Sequence, residues 1–374
     1  MTSGTEGDDV ELRVMMDGRE VGRLRKESAG YYFAYSRDWL ADGFSISPHS
    51  LPLEDRLFVG RNDRFDGLFG VFADSLPGEW GTFIAMKALR NKGVDYLSLD
   101  PLEKLAYLDE GASGSLYYEP CECDWDALPV EDLDRLCGEC MSLIEDDSDN
   151  LDEVFRRAGS TGGARPKMNL RIDGGDWIVK FRERNDPAWI GRMEYEYNRA
   201  AEACGIDVPE YRLMHSGLCD GYFASKRFDG RDGKRLHMIS LGGLLEVPSS
   251  MPLLDYISFL QATRFVTQSQ EEVIKAFRLS CFNILAKNFD DHSANFSYLY
   301  LPEKGGYVLS PAYDLTRTPN MTEHHMTCMG NPLPERKELE MLAAEMHIPK
   351  RRAAEIIDHV RDVISDMLGE WIQK

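Results

Sequence analysis

Three polar residues in the second half of the chain have the types and the spacing that phosphoryl transfer needs. Asp290 precedes Asn295 by five positions in NFDDHSANFSYLY, and Asp314 follows nineteen residues later in YVLSPAYDLTRTP. In a kinase catalytic loop, an aspartate with this spacing orients the attacking hydroxyl and accepts its proton, while the asparagine binds a metal ion. Each residue alone is equally typical of a capped turn. The set of three predicts a catalytic Asp290, with Asn295 and Asp314 as Mg²⁺ ligands.

A lysine on a predicted strand fits the same chemistry. Lys180 ends the run WIVK, and a charged side chain on a buried strand face needs a partner. We predict that Lys180 contacts the α and β phosphates of ATP, with Glu194 in the next helical segment as its ion-pair partner. Taken alone, Lys180 is better explained as a solvent-facing strand residue, so the prediction depends on the three downstream residues.

A glycine-rich segment precedes that strand. Residues 159–167 read GSTGGARPK, which is neither a Walker loop nor G-x-G-x-x-G. Gly162 and Gly163 nevertheless allow main-chain amides to approach phosphate oxygens closely. The segment is a weak signal by itself, and we assign both glycines to the ATP site only in combination with Lys180.

Hydrophobic periodicity predicts the elements that position these residues. Alternation predicts a hairpin over residues 10–25, a strand at 31–36 and a second hairpin over 168–180. Helical spacing dominates from about residue 189 and is clearest over 273–289. Two more helical patterns follow around 339–346 and 353–367. A sheet-rich first half and a helical second half predict a two-lobed α+β fold.

We divide the chain into three parts on this basis. Residues 1–120 form an N-terminal β-rich subdomain, and residues 121–230 complete the N-terminal lobe with the glycine-rich loop and the ATP lysine. Residues 231–374 form a helical C-terminal lobe with the catalytic loop. The acidic segment 145–155 is either a hinge between these parts or the solvated start of a helix.

Composition limits the classes of partner and compartment. The chain has 374 residues with 43 basic and 64 acidic side chains, a net charge of −21, so its surface repels nucleic-acid phosphates. No apolar run is long enough to span a bilayer, and the N-terminal MTSGTEGDDVEL lacks a signal core. We therefore expect a cytoplasmic protein that does not bind membranes.

The eight cysteines are expected to be thiols in that compartment. Cys121, Cys123, Cys137 and Cys140 have a C-x-C and C-x-x-C pattern that also suits structural zinc. The apolar spacing from Leu133 to Ile144 predicts an amphipathic helix, in which Cys137 and Cys140 would be packing residues. The sequence is compatible with both interpretations.

Seven segments give the chain a resemblance to a known family. It resembles the HipA family of bacterial serine/threonine protein kinases, the toxins of HipBA toxin–antitoxin systems. The segments occur in family order along nearly the whole chain. They are FADSLPGEWG (72–81), GSLYYEP (114–120), GSTGGARPK, WIVKF, RFDG (227–230), NFDDHSANFSYLY and LSPAYDL (309–315). The resemblance implies a protein-kinase-like fold with an added N-terminal subdomain.

The resemblance also implies site residues and partners. Phe228 and Asp229 match the segment between the lobes where adenine and ribose bind, and Ser160 matches the serine that family members autophosphorylate to switch themselves off. Thr161 beside it is an alternative acceptor. Ser293 and Ala294 depart from the commonest catalytic-loop pattern but leave the ligand positions intact. No helix-turn-helix segment is evident, so a HipB-like antitoxin would be a separate chain and DNA contact only indirect.

Three functions are compatible with these residues. The preferred one is an ATP- and Mg²⁺-dependent protein kinase that arrests growth. Relatives phosphorylate an aminoacyl-tRNA synthetase, which makes such an enzyme a substrate by analogy only. The alternatives are a co-repressor that holds a DNA-binding antitoxin with little catalysis, and a kinase for small molecules.

Overall fold

Strands and helices both occur in the first half of the chain, and helices outnumber strands in the last third, in this computed structural model. The structure describes residues 11–61, 63–90, 92–108, 113–121, 132–144, 163, 165–231 and 234–373. The acidic segment 145–155 lies outside the described residues, so neither interpretation of it is tested.

Short strands and helices follow one another along the described ranges. The strands are β1 (Glu11–Met16), β2 (Arg19–Glu27), β3 (Gly30–Tyr35), β4 (Phe58–Val59), β5 (Tyr117–Glu119), β6 (Lys167–Ile172), β7 (Gly175–Lys180), β8 (Tyr211–Met214), β9 (Tyr222–Lys226), β10 (Gly230–Arg231), β11 (Lys234–Arg235), β12 (Met238–Ser240), β13 (Ser297–Leu301) and β14 (Gly306–Leu309). The α-helices are α1 (Arg37–Asp42), α2 (Gly70–Ala73), α3 (Glu79–Arg90), α4 (Pro101–Ala106), α5 (Leu133–Ile144), α6 (Ile190–Ala203), α7 (Leu241–Leu245), α8 (Tyr256–Thr267), α9 (Gln270–Leu285), α10 (Arg336–Glu345) and α11 (Lys350–Leu368).

The N-terminal sheet has the order β4-β3-β2-β1-β5, and every neighbouring pair is antiparallel. The predicted first hairpin is confirmed as β1 and β2. Its turn residues, Asp17 and Gly18, both have positive φ, at 49° and 74°. Such turns match the twist of the strands, which explains the Asp-Gly pair. Leu12 and Val14 are buried on the inner face.

A second antiparallel sheet has the order β6-β7-β9-β8 and carries the predicted ATP lysine. The predicted hairpin over 168–180 is confirmed as β6 and β7, with a positive-φ turn at Asp173 and Gly174. Trp177 and Val179 are buried on one face of β7. Lys180 is on the opposite face, at the end of the strand and opposite Lys167 of β6.

The C-terminal part is mainly helical, as periodicity predicts, and α9, α10 and α11 lie at the predicted positions. It also contains a three-stranded sheet of order β12-β13-β14, which the helical patterns did not indicate. Strand β13 begins at Ser297, two residues after Asn295. The sheet therefore holds one end of the predicted catalytic loop, and α9 holds the other.

The described residues form three hydrophobic clusters, of which the two larger ones join different parts of the chain. The largest one joins the N-terminal sheet, including Phe33, to C-terminal helices, including Phe277. The second lies against the β6-β7-β9-β8 sheet and includes Trp80 of α3 and Trp177 of β7. Helix α3, from the region assigned to the N-terminal subdomain, thus packs on the sheet of the next region. The division at residues 120 and 230 stays a prediction.

The cysteine-rich segment is partly described. Cys137 and Cys140 are buried in α5 within the second cluster, as the helix interpretation requires. Cys121 is exposed and donates its Sγ hydrogen to the Leu108 carbonyl at 3.3 Å, and Cys123 lies outside the described residues. No group of three or more His, Cys, Asp or Glu in the described ranges is arranged to hold a metal ion. Helix packing is therefore sufficient to explain Cys137 and Cys140.

None of the helices within the described part of the chain is long and apolar enough to cross a membrane.

Candidate active site

The centre of the site is an ion-pair cluster between the two lobes. The ammonium of Lys180, at the end of β7, contacts both Glu194 Oε1 and Asp314 Oδ1. Glu194 is on α6, and Asp314 is in the segment that follows β14. The Lys180 side chain is only 16% exposed. The structure thus brings together three predicted residues that span 134 positions of the sequence.

Electrostatics keep this cluster charged despite its burial. Burial acts to lower the pKa of Lys180, but Asp314 and Glu194 outweigh it and raise that pKa. Burial also acts to raise the pKa of Asp314, but Lys180 and Lys167 lower it well below its usual range. Burial raises the pKa of Glu194, and this effect is larger than the opposing effect of the positive charge on Lys180. Lys180 and Asp314 therefore stay ionised at neutral pH.

Lys167 is a member of the cluster for which the sequence patterns indicated no role in the ATP site. It begins β6, is 5% exposed, and lies opposite Lys180. Burial lowers the pKa of Lys167, and the neighbouring Asp314 opposes that shift. A signal was present in the sequence, because a hairpin that turns at residues 173 and 174 pairs residue 167 with residue 180. Two facing lysines on a buried surface indicate an anionic partner.

Asp290 is a partly exposed residue of the predicted catalytic loop. Its side chain is 49% exposed, and its Oδ1 is 3.8 Å from His292 Nε2. The Asp290 N–H donates to Thr318 Oγ1 at 3.3 Å. This bond holds the catalytic loop against the segment after Asp314. An exposed carboxylate on a fixed backbone is suited to accept a proton from an incoming hydroxyl.

Asn295 and Asp314 are held on the same side of the site. The Asn295 amide nitrogen donates to the Asp290 carbonyl at 2.8 Å, which leaves its amide oxygen available as a ligand. Tyr313, next to Asp314, donates from its hydroxyl to the Ala294 carbonyl at 2.7 Å. One amide oxygen and one ionised carboxylate are the hard ligands that Mg²⁺ accepts alongside phosphate and water. The residues present therefore fit a magnesium ion.

Asp291 differs from its neighbour in every contact. It is fully buried and accepts hydrogen bonds from Tyr256 Oη at 2.5 Å and His324 Nδ1 at 2.7 Å. The N–H groups of His325 and Met326 also donate to it, at 2.9 and 3.2 Å. These hydrogen bonds connect Asp291 to residues 324–326. Because the Asp291 carboxylate is buried, it is not accessible to a substrate.

The predicted adenine and ribose residues lie on the segment between the lobes. The Phe228 ring is 5.5 Å from the Tyr313 ring, which places it beside Asp314. Asp229 is 4% exposed and accepts hydrogen bonds from Arg227, Arg235 and the Gly114 N–H, so it could bind ribose only by giving up one of these donors. Its part in binding nucleotide stays a prediction, and its observed contacts are internal.

The glycine-rich loop is described only at its end. Gly163 has a φ of 86°, and a Cβ atom there would lie 2.6 Å from Lys167 Nζ. The positive φ favours glycine at position 163, since side chains with a Cβ atom are strained in this conformation. Gly162, Ser160 and Thr161 lie outside the described residues, so their predicted roles are not tested.

Comparison with known proteins decides the family. The family described as HipA-like C-terminal domain matches residues 159–368, which is more than half of the chain, and the HipA N-terminal domain family matches residues 12–119. This chain belongs to the HipA family. The predicted resemblance is therefore confirmed across both the N-terminal sheet and the lobes that form the site.

Two relatives match this HipA family member over most of their length. Y4mE of Sinorhizobium fredii, named as a putative kinase, is 27% identical over 346 residues, which is 82% of this chain and 77% of the relative. HipA of Shewanella oneidensis, named a serine/threonine-protein kinase toxin, is 23% identical over 349 residues, which is 82% of this chain and 75% of the relative.

A solved structure gives the fold. A chain in the Shewanella oneidensis MR-1 complex of HipA, HipB and operator DNA superimposes with a TM-score of 0.72 at 18% sequence identity. The match covers 97% of this chain and 91% of that chain. It confirms the predicted two-lobed, kinase-like α+β fold of this HipA family member, with its additional N-terminal β-rich subdomain.

Proposed function

We propose that this chain is an ATP-dependent serine/threonine protein kinase. The observation that carries the proposal is the position of Lys180, held between Glu194 and Asp314. In protein kinases a strand lysine paired with a helix glutamate must be in place for the phosphates to be held. The kinase names of the two relatives agree with this proposal.

Each residue of the site has its own task in this reaction. Lys180 and Lys167 bind and orient the phosphates, because both ammonium groups lie in the same buried cluster as Asp314. Asp290 accepts the proton of the acceptor hydroxyl as that oxygen attacks the γ-phosphorus. Asn295 and Asp314 hold Mg²⁺, which when bound neutralises charge on the phosphates. Asp291 keeps the catalytic loop in place and takes no part in proton transfer.

The cellular role we propose is growth arrest through phosphorylation of a protein. The substrate class follows the family analogy, in which an aminoacyl-tRNA synthetase is the target. A HipB-like helix-turn-helix antitoxin is the proposed partner, since the superimposed structure is a complex of HipA with HipB and operator DNA. Any contact of this acidic chain with DNA is then indirect.

Autophosphorylation of Ser160 is the proposed off-switch. Ser160 is in the glycine-rich loop, three residues before Gly163. A phosphoryl group there would add a charge of about −1.5 to −2 in the sequence segment that contains Arg165 and Lys167. It would then compete with ATP for the same cations.

Labelled ATP separates this proposal from its alternatives. The purified chain is incubated with γ-labelled ATP, Mg²⁺ and a cell lysate, with the Asp290→Asn variant as the control. Labelled protein bands that are missing with the variant support a protein kinase. Labelled small molecules would instead indicate a small-molecule kinase, and no label would favour the co-repressor role.

A further inference from the structure

The segment FADSLPGEWG takes no part in the chemistry of Lys180, Asp290 and Asp314, yet it contacts the nucleotide side of the site. Its Trp80 is in the first turn of α3 and is 3% exposed. The indole packs in the second hydrophobic cluster, against the sheet that carries Lys180.

Trp80 makes two hydrogen bonds to the end of the glycine-rich loop. Its indole Nε1–H donates to the Lys167 carbonyl at 3.0 Å, and its backbone N–H donates to the Gly163 carbonyl at 3.2 Å. N–H groups in the first turn of a helix have no partner within the helix, so the second bond uses a donor that α3 leaves free. One residue thus holds both ends of the stretch 163–167.

The same stretch is fixed from its other side by the strand of the ATP lysine. The Phe181 N–H donates to the Pro166 carbonyl at 2.8 Å, and Lys167 is the register partner of Lys180. The described residues Gly163, Pro166 and Lys167 therefore accept hydrogen bonds from α3 and from the residue that follows β7. Glycine has no Cβ atom, so its backbone has access to many conformations. Gly163, whose φ is positive, therefore depends on these hydrogen bonds to keep one backbone conformation.

We propose that Trp80 is a positioning residue for nucleotide binding, which holds the end of the glycine-rich loop so that Lys167 is directed into the ion-pair cluster. The inference rests on the proposed function, because it assumes that this loop and Lys167 contact phosphates. It makes helix α3, from the N-terminal part of the chain, a component of the nucleotide site. We call the two hydrogen bonds from Trp80 to this loop the tether. Without the tether, part of the free energy of nucleotide binding has to be spent on ordering the loop.

The test compares the same substitution at two tryptophans of one cluster. Trp80→Phe keeps an aromatic ring but removes the indole donor to Lys167. Trp177→Phe is the matched control, because Trp177 is 1% exposed in the same cluster and its indole nitrogen donates no hydrogen bond within the described residues. Both variants lose similar volume, so both should lower the melting temperature.

Two quantities are measured. The first is the affinity for a fluorescent ATP analogue in the presence of Mg²⁺, and the second is whether the substitution changes the KM for ATP more than it changes kcat. We expect Trp80→Phe to weaken nucleotide binding about threefold to tenfold, the effect of one lost buried hydrogen bond, with a smaller change in kcat. Trp177→Phe should stay within about twofold of the wild type, since it touches no loop atom. Equal affinities for the wild type and Trp80→Phe, or an equal loss in both variants, would overturn the proposal.

Hydrogen exchange measured in the absence of nucleotide tests the Trp80 hydrogen bonds independently of the proposed function. We expect faster exchange in peptides that span residues 159–167 for Trp80→Phe than for Trp177→Phe. If the wild type bound no nucleotide, the proposed function would fail, while selective loop exchange would still support the tether. Unchanged exchange in Trp80→Phe would refute the tether even if the chain were a kinase.

Discussion

Asp290 and Asp291 are adjacent in the chain, but their carboxylates lie in opposite environments. The Asp290 side chain is 49% exposed, whereas Asp291 is fully buried and accepts four hydrogen bonds. Of the two carboxylates, only that of Asp290 is accessible to solvent. We therefore expect a substitution of Asp290 to affect activity and a substitution of Asp291 to affect stability.

Replacement of Asp290 by Asn is expected to remove catalysis and keep the fold. The variant keeps the backbone bonds of the loop but has no group to accept the hydroxyl proton. Loss of such a base lowers the rate by about 10² to 10⁴. Phosphorylation of protein by labelled ATP measures the rate, and ATP titration checks that binding is retained. A variant with the wild-type rate would show that Asp290 is not the base.

Replacement of Asp291 by Ala is expected to destabilise the chain. Tyr256, His324 and two backbone N–H groups would be left buried without their acceptor. Each buried donor that is left without its acceptor costs about 1–3 kcal/mol of unfolding free energy. Urea unfolding measures it, and Asp290→Ala is the control, with an expected change within about 1 kcal/mol. Equal stabilities for the two variants would contradict the anchoring role of Asp291.

Nucleotide binding is expected to depend on Mg²⁺ through Asn295 and Asp314. Double replacement by Ala should abolish turnover and remove the difference in ATP affinity with and without Mg²⁺. The single variant Asn295→Ala retains the contact of Asp314 with Lys180 and separates metal binding from that ion pair. Calorimetric titration checks both. A wild-type chain with the same ATP affinity in both conditions would argue against the metal ligands.

The stability of the chain is expected to depend on pH through Asp74, which follows α2. Burial raises the pKa of the Asp74 carboxyl from 3.8 to about 7, although Ser240 donates two hydrogen bonds to it and so opposes the shift. Because the folded-state pKa is the higher one, the stabilisation from proton uptake is complete below pH about 4 and is lost as the pH rises through about 7.

The Asp74→Asn variant isolates this effect. We expect the unfolding free energy of the wild type, minus that of the variant, to fall from about pH 4 to about pH 7 and to level off above that. Urea unfolding at each pH gives the difference. A constant difference over this range would mean that Asp74 titrates near its ordinary value in the folded chain.

Incubation with Mg-ATP is expected to modify Ser160 and to inactivate the chain. Ser160→Ala should block this loss of activity, and Ser160→Ala with Thr161→Ala tests whether the neighbouring hydroxyl substitutes. Peptide mass spectrometry of residues 159–167 follows the modification. If activity disappeared while that peptide stayed unmodified, a different switch would have to operate.

Local patterns in the sequence were sufficient for much of the fold. Both predicted hairpins are present, because their turn residues adopt positive φ and their alternation matches one buried face. The partnership of Lys180 with Glu194 was also predicted, over only fourteen positions. The three-stranded sheet β12-β13-β14 was missed because β12 pairs with a strand nearly sixty residues later, and short-range periodicity carries no record of such a pairing.

By itself, the sequence determined the family, the spacing of Asp290 and Asn295, and the identity of the strand lysine, since these depend on residue type and near neighbours. Tertiary structure alone decided that Asp291 is buried while Asp290 is exposed, and that Trp80 reaches Lys167, 87 positions away. It also decided that the N-terminal sheet shares a hydrophobic cluster with the C-terminal helices. The physical reason is that burial and long-range hydrogen bonds arise when distant segments pack together, and packing depends on the whole set of apolar surfaces that the chain must remove from water.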